Sequence, residues 1–226
     1  MVSASLIIPA LNEAEQMPAL LADLQGLRAH GCELILVDGG SQDATCLQAE
    51  GQVDQLLTSQ PGRAKQMNCG AQAARGEWLF FLHADTRLTS EAGQRLLKVS
   101  RQETRNWGRF DVRIEGQHPL LRLVALMMNQ RSRWTGIATG DQLIFMHRSL
   151  YQAVAGFPDQ PLMEDVEISK RLKAFSQPLA CQEKVITSGR RWDDKGFWKT
   201  VALMWSLRWR YWRGIPAELL AEEYSS

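Results

Sequence analysis

The chain reads as a single α/β domain with a mostly parallel central sheet and helices on both faces. Short apolar runs, Ser5–Pro9, Leu34–Val37 and Trp78–Leu82, each lead into polar or acidic residues. Segments of helical spacing lie between such runs; Met17, Leu20, Leu21, Leu24 and Leu27 form one apolar face. Strand and helix in alternation imply right-handed crossovers with helices on both sides. A length of 226 residues, 45% hydrophobic, suits one domain with a sizeable core.

In order, Leu6–Pro9 is the first strand, and Pro18 falls in the first turn of the helix after it, where proline is tolerated. Leu34–Val37, Gln55–Thr58 and Trp78–Leu82 are the next strands, and a helix starts near Ser90. The second half is less regular. Phe110–Ile114 and Leu143–Met146 read as strands, separated by an apolar helix from Leu120 to about Arg133. Glu164–Phe175 reads as a helix, followed by short strands around Leu179–Cys181 and Val185–Thr187. Arg131–Thr139, beside Gly136, reads as a mobile lid. No repeat or low-complexity linker interrupts the chain, so its parts (1–105, 106–195 and 196–226) belong to one domain.

A net charge of +1 gives no reason to expect nucleic acid as a partner. Cys32, Cys46, Cys69 and Cys181 are scattered without CxxC pairs, which fits reduced thiols in a cytoplasmic protein. No run reaches the ~18 apolar residues of a membrane span, and no secretory leader is recognisable.

Neither phosphate-binding glycine fingerprint is present: the first strand turns through Pro9-Ala10-Leu11-Asn12-Glu13. That counts against a dinucleotide enzyme or a P-loop NTPase. In an open parallel sheet, ligands bind outside the carboxyl ends of the strands. Acids stand there instead: Glu13, Asp38 before Gly39-Gly40-Ser41, and Asp85 in His83-Ala84-Asp85-Thr86. Asp85 suits a divalent cation held by oxygen ligands; taken alone, it fits a helix cap better.

This order of motifs, with Arg63-Ala64-Lys65-Gln66-Met67-Asn68, Gly140-Asp141-Gln142, Gly156-Phe157-Pro158, Met163-Glu164-Asp165 and Arg190-Arg191-Trp192, resembles family 2 glycosyltransferases of the GT-A fold. His83-Ala84-Asp85-Thr86, Thr139-Gly140-Asp141-Gln142 and Arg190-Arg191-Trp192 are most similar to a small bacterial branch labelled radical-SAM/selenodomain-associated glycosyltransferases. That label describes genomic company and fixes no substrate.

The resemblance implies a metal-dependent, inverting transferase that takes a UDP- or GDP-sugar as donor and an acceptor hydroxyl. Residues 1–105 would be the nucleotide-sugar half and 106–195 the acceptor-side and catalytic half. Pro9, Asn12, Glu13, Asp38, Arg63, Lys65, Asn68, Asp85, Arg191 and Trp192 would bind the donor. Asp165 would be the general base, with Glu164 as a supporting hydrogen bond. Gly140, Asp141 and Gln142 would lie on the acceptor side. Asp85 would hold Mn²⁺ or Mg²⁺. Two departures from the family pattern stand out: Gly39 replaces a second acid after Asp38, and His83 replaces the first acid of the metal motif. For His83 two roles stay open, a ligand favouring Mn²⁺ and a structural hydrogen bond. Lys65 fits either the diphosphate or a solvated helix start. The two missing acids also keep a non-catalytic nucleotide-sugar-binding or scaffold protein in view.

The segment 196–213 is unusual. Trp198, Ala202, Trp205, Trp209 and Trp212 make one apolar face and Leu203, Met204, Leu207 and Tyr211 another, with Lys199, Arg210 and Arg213 on one flank and Arg208 on the other. A helix apolar on two faces cannot bury both against one surface. Three outcomes are open: a deep groove, a homodimer, or peripheral contact at the inner face of a membrane with a lipid-linked or membrane-proximal acceptor.

Overall fold

A computed structural model describes every residue except Met1, Glu103, Arg105 and Ser226, so the expected boundary near residue 105 falls outside the described residues. The first half runs β1 (Ala4–Ala10), α1 (Met17–Ala29), β2 (Cys32–Asp38), α2 (Thr45–Ala49), β3 (Gln55–Thr58), α3 (Arg63–Ala73), β4 (Trp78–Phe81), β5 (Thr86–Leu88) and α4 (Ser90–Gln102). There follow β6 (Trp107–Glu115), α5 (Leu121–Thr135), a 3-10 turn at Gly140–Gln142, β7 (Ile144–His147), α6 (Arg148–Ala153), α7 (Glu164–Lys173) and β8 (Leu179–Ser188). Three helices end the chain: α8 (Arg190–Lys195), α9 (Phe197–Trp212) and α10 (Ala217–Ser225).

All eight strands join one sheet in the order β3-β2-β1-β4-β7-β6-β8-β5. The β3-β2-β1-β4 half is parallel as expected. The other half is mixed, because β7 runs antiparallel to both β4 and β6, and β5 antiparallel to β8. Side chains alternate across a strand, and the core divides accordingly. Leu6 and Ile8 pack with α1 and α4 on one face. Ile7 packs with α3, α6 and α7 on the other.

Two expectations are corrected. The short strands at Leu179–Cys181 and Val185–Thr187 are one strand, β8, whose register with β6 jumps from Phe110↔Cys181 to Asp111↔Lys184. Gln182 and Glu183 bulge out of the ladder, which broke the apolar pattern without ending the strand. The expected lid is also tied down. Its first part finishes α5, Gly136 closes that helix in the left-handed conformation (φ 67°), and the Ala138 N–H donates to Ser169 Oγ at 3.1 Å.

The α9 segment resolves into one packed face and one bare one. Leu207 is buried with Leu162, Met163 and Leu220, and Leu203 and Tyr211 pack against them. Phe197 and Val201 join Leu121, Val124, Ala125 and Met128 of α5. Trp198 and Trp212 are 70% and 76% exposed, with Trp205 and Trp209 exposed between them. No helix among the described residues is long and apolar enough to cross a membrane.

Candidate functional site

The carboxyl ends of β1 and β2 are laced together. Asn12, at a positive φ of 54°, donates its N–H to Ser41 Oγ (2.8 Å) and accepts from the Gln42 N–H through Oδ1 (2.9 Å). The Glu13 N–H donates to Thr45 Oγ1 (2.8 Å) and the Ala14 N–H to Asp43 Oδ2 (3.1 Å). Asp38 is occupied by its own turn, accepting from the N–H groups of Gly40 (2.9 Å) and Ser41 (3.0 Å). Burial opposes its charge, but the Ser41 and Gly40 hydrogen bonds outweigh it and hold the carboxyl below its ordinary range. Glu13 differs. Its Oε2 is buried with no hydrogen-bond partner among the described residues, and Arg190 lies 3.9 Å away. Burial and the Asp85 charge push its pKa up.

Beyond β4, one ligand atom each from His83, Asp85 and Asp141 lies within 4.8 Å of the others. His83 Nδ1 approaches Asp141 Oδ1 at 3.7 Å. Asp141, expected on the acceptor side, thus stands with the donor-side acid. Gly140 allows this closeness, since a Cβ there would lie 2.1 Å from His83 Cε1. Burial works against the Asp141 charge, yet His83, Arg63 and Arg208 together hold its carboxyl below the usual range. Arg63, exposed at the start of α3, is a cation of the crevice. Partial loss of hydration opposes its charge, while Tyr224, Glu164, Asp141 and Asp85 raise its pKa.

Glu164 and Asp165 open α7 and line the same small cavity as His83, Gly140, Phe81 and Phe157. Asp165 Oδ2 accepts from the Gly140 N–H at 2.8 Å, which fixes the carboxylate toward the His83 side. Glu164 is 4% exposed. Burial, then the neighbouring Asp165 charge, pushes its pKa up to about 7.

Several expected site residues are engaged elsewhere. Both ends of the Asn68 amide are taken: Nδ2 donates to Phe157 O (2.8 Å), and Oδ1 accepts from the Phe157 N–H (2.9 Å) and Tyr151 O–H (2.7 Å). Gln142 is fully buried in the cap of its own turn, and Pro9 lies inside β1. Lys65 Nζ donates to Gln60 Oε1 at 3.1 Å. Arg191 donates to Tyr224 O at 2.9 Å and covers the Tyr224 ring, while Trp192 packs with Leu121 and Phe197.

In the sequence, Arg131 of α5 has a place only in the expected lid and Arg208 of α9 only on a helix flank, with no role in the site for either. Burial, then repulsion from Arg208, pushes the Arg131 pKa down to about 10, against the pull of Asp165. Burial also lowers Arg208, against the pull of Asp165 and Asp141. A signal was present: Arg208 is the lone cation on its flank of a tryptophan-rich helix.

A family model, Glycosyl transferase family 2, matches residues 5–150, well over half of the chain. The chain belongs to glycosyl transferase family 2. A relative from Mycobacterium bovis (strain BCG / Pasteur 1173P2), named PGL/p-HBAD biosynthesis glycosyltransferase, is 32% identical over 160 residues, covering 66% of this chain and 57% of the relative. This family 2 chain therefore spans just over half the length of such curated relatives. Among solved structures, the mannosyltransferase PcManGT from Pyrobaculum calidifontis, in complex with GDP-Man and Mn²⁺, superposes with a TM-score of 0.61 at 19% identity, over 81% of this chain and 56% of that one. S. aureus TarS 1-349 with UDP-GlcNAc gives 0.62 at 16% identity, over 81% and 58%. These likenesses show that family 2 membership is accompanied by the GT-A fold.

Proposed function

We propose that the chain transfers a sugar from a UDP- or GDP-sugar to an acceptor hydroxyl, with inversion at the anomeric carbon. One observation carries the reading: Glu13, its Oε2 without a hydrogen bond among the described residues, the His83-Asp85-Asp141 cluster and the Glu164-Asp165 pair share the crevice at the carboxyl ends of β1 and β4. The GDP-Man, Mn²⁺ and UDP-GlcNAc of the similar structures support it. So do the motifs of the small bacterial branch, to which we assign the chain.

One imidazole and two carboxylates fit a divalent cation, and the imidazole favours Mn²⁺ over Mg²⁺. When bound, the ion would neutralise the diphosphate of the donor. The protein's own groups supply the rest. Glu13 Oε2 accepts from the ribose hydroxyls, and Asp38 keeps the adjacent turn in shape. Arg63 offsets the negative charge that grows on the diphosphate as the glycosidic bond breaks. Asp165 takes the proton of the acceptor hydroxyl, whose oxygen attacks the anomeric carbon while the nucleoside diphosphate departs. Glu164, whose carboxyl pKa is pushed up by burial and the Asp165 charge, stands beside the base and in its protonated form donates a hydrogen bond.

The exposed tryptophans of α9, flanked by Lys199, Arg210 and Arg213, suit the headgroup layer of a membrane. On α5, Leu123, Leu126, Met127 and Trp134 are also exposed, Trp134 by 83%. We therefore place the acceptor on or near a lipid surface, at the inner face of the membrane. Co-sedimentation with anionic liposomes at low salt tests this; its absence, or a stable dimer that hides the tryptophans, would count against it. The donor reading is tested by thermal unfolding with UDP- and GDP-sugars, with and without Mn²⁺ or Mg²⁺. A ligand at a hundredfold excess over Kd stabilises by about 2.7 kcal/mol. No shift with any donor would leave the scaffold reading standing.

A further inference from the structure

The seam between α5 and α9 changes character along its length. At one end it is apolar, where Val124 and Met128 meet Phe197 and Val201. Arg131 lies one to two turns further along α5, and Arg208 two to three turns further along α9. Each arginine stands between the buried face of its helix and the exposed apolar stripe. Their guanidinium groups are close enough to repel one another, and both feel the Asp165 carboxylate. The Arg131 Nε and one terminal nitrogen are buried with no hydrogen-bond partner among the described residues. A guanidinium buried without an acceptor costs stability. Arg131, with the charge of Arg208 nearby, offers a seat for an anion.

We propose that Arg131 and Arg208 form an acceptor subsite that grips a phosphate group, with the acceptor's apolar portion lying on the exposed α5–α9 stripe. The inference rests on the glycosyl-transfer reading and adds the chemical class of the acceptor. Phosphate oxygens accept the free N–H groups of Arg131 and pair with Arg208. The acceptor hydroxyl, on the same molecule, is thereby brought to Asp165. The tryptophans and the α5 leucines supply the surface for the tail. The shared chemistry, a phosphate ester, can come from a lipid headgroup or from a phosphorylated soluble molecule.

The test uses the full chain and three probes: octyl phosphate below its micelle concentration, inorganic phosphate, and octanol. Octyl phosphate is expected to bind and stabilise the protein, and both Arg131→Gln and Arg208→Gln are expected to weaken it at least tenfold. Asp85→Asn is expected to lose donor binding and keep octyl phosphate, so failure of the donor reading and failure of this one are separable. Octyl phosphate at least tenfold tighter than inorganic phosphate assigns a lipid-borne acceptor; equal affinities, with octanol inert, overturn the placement of a tail on the stripe and leave a soluble phosphorylated acceptor. A second readout needs no ligand. Arg131→Gln removes an unpartnered buried charge and is expected to raise the unliganded Tm, whereas a purely structural arginine would lower it. The proposal is overturned if octyl phosphate fails to bind, binds undiminished to both variants, or is displaced by UDP or GDP with Mn²⁺.

Discussion

Glu164→Gln isolates the cost of placing a carboxyl at the floor of the crevice. The side chain is 4% exposed, and burial with the Asp165 charge moves its pKa from 4.5 to about 7. Because the folded value is above the unfolded one, the folded state binds more protons between them, and stability falls as pH rises through that window. The displacement is about 2.5 pH units, or roughly 3 kcal/mol at 1.36 kcal/mol per unit. Glutamine mimics the protonated form at every pH. The variant should therefore match the wild type near pH 4.5 and exceed it by roughly 3 kcal/mol at pH 8. For a chain of this length that is roughly 6–12 °C in Tm. Urea unfolding of both proteins from pH 4.5 to 8 is the assay, and their difference cancels the titrating groups that do not interact with Glu164. A difference that stays flat across this range would refute the reasoning and mean that Glu164 titrates alike in the folded and unfolded chains.

Four further outcomes follow from the same geometry. Asp165→Asn should keep nucleotide-sugar stabilisation and lose roughly 10²–10⁴-fold in transfer, read by nucleoside diphosphate release; undiminished turnover would remove Asp165 as the base. Gly140→Ala drives a Cβ into His83 and should cost about 1–3 kcal/mol, and it should abolish the Mn²⁺-dependent part of the donor-induced Tm shift. Asp111→Asn strips the carboxylate that Arg109 and Arg133 share in the interior; with Arg109 fully buried, a loss of about 3–5 kcal/mol is expected in urea melts. The double change Trp205→Ala and Trp209→Ala should leave stability within about 1 kcal/mol, since exposed positions contribute little, while liposome binding falls.

The parallel half was legible because its strands are short apolar runs with acids at their ends, a pattern set by local sequence. The second half was harder to read. Gln182 and Glu183 bulge from β8 and look like a break, and β5 is only Thr86–Leu88, held by its pairing with β8. Of the site, Glu13, Asp85 and Asp165 could be found by motif. The nearness of Asp141 to His83 could not, because it depends on Gly140 leaving room across the crevice. Asn68 carries no mark in the sequence of its tie to Phe157, 89 positions away. Arg131 and Arg208 lie in separate helices and acquire meaning only when α5 and α9 pack side by side.

The four cross-links between the β1 and β2 loops bear on timing as well as shape. With Asn12, Ser41, Asp43 and Thr45 tying the two turns into one body, Glu13 and Asp38 are fixed relative to each other before any donor arrives. A preorganised seat spends little binding energy on ordering itself. Donor capture should then behave as a rigid encounter, fast and nearly indifferent to viscosity beyond diffusion. On the proposed function, slow rearrangement during turnover would then fall to the acceptor side, at the α5–α9 seam.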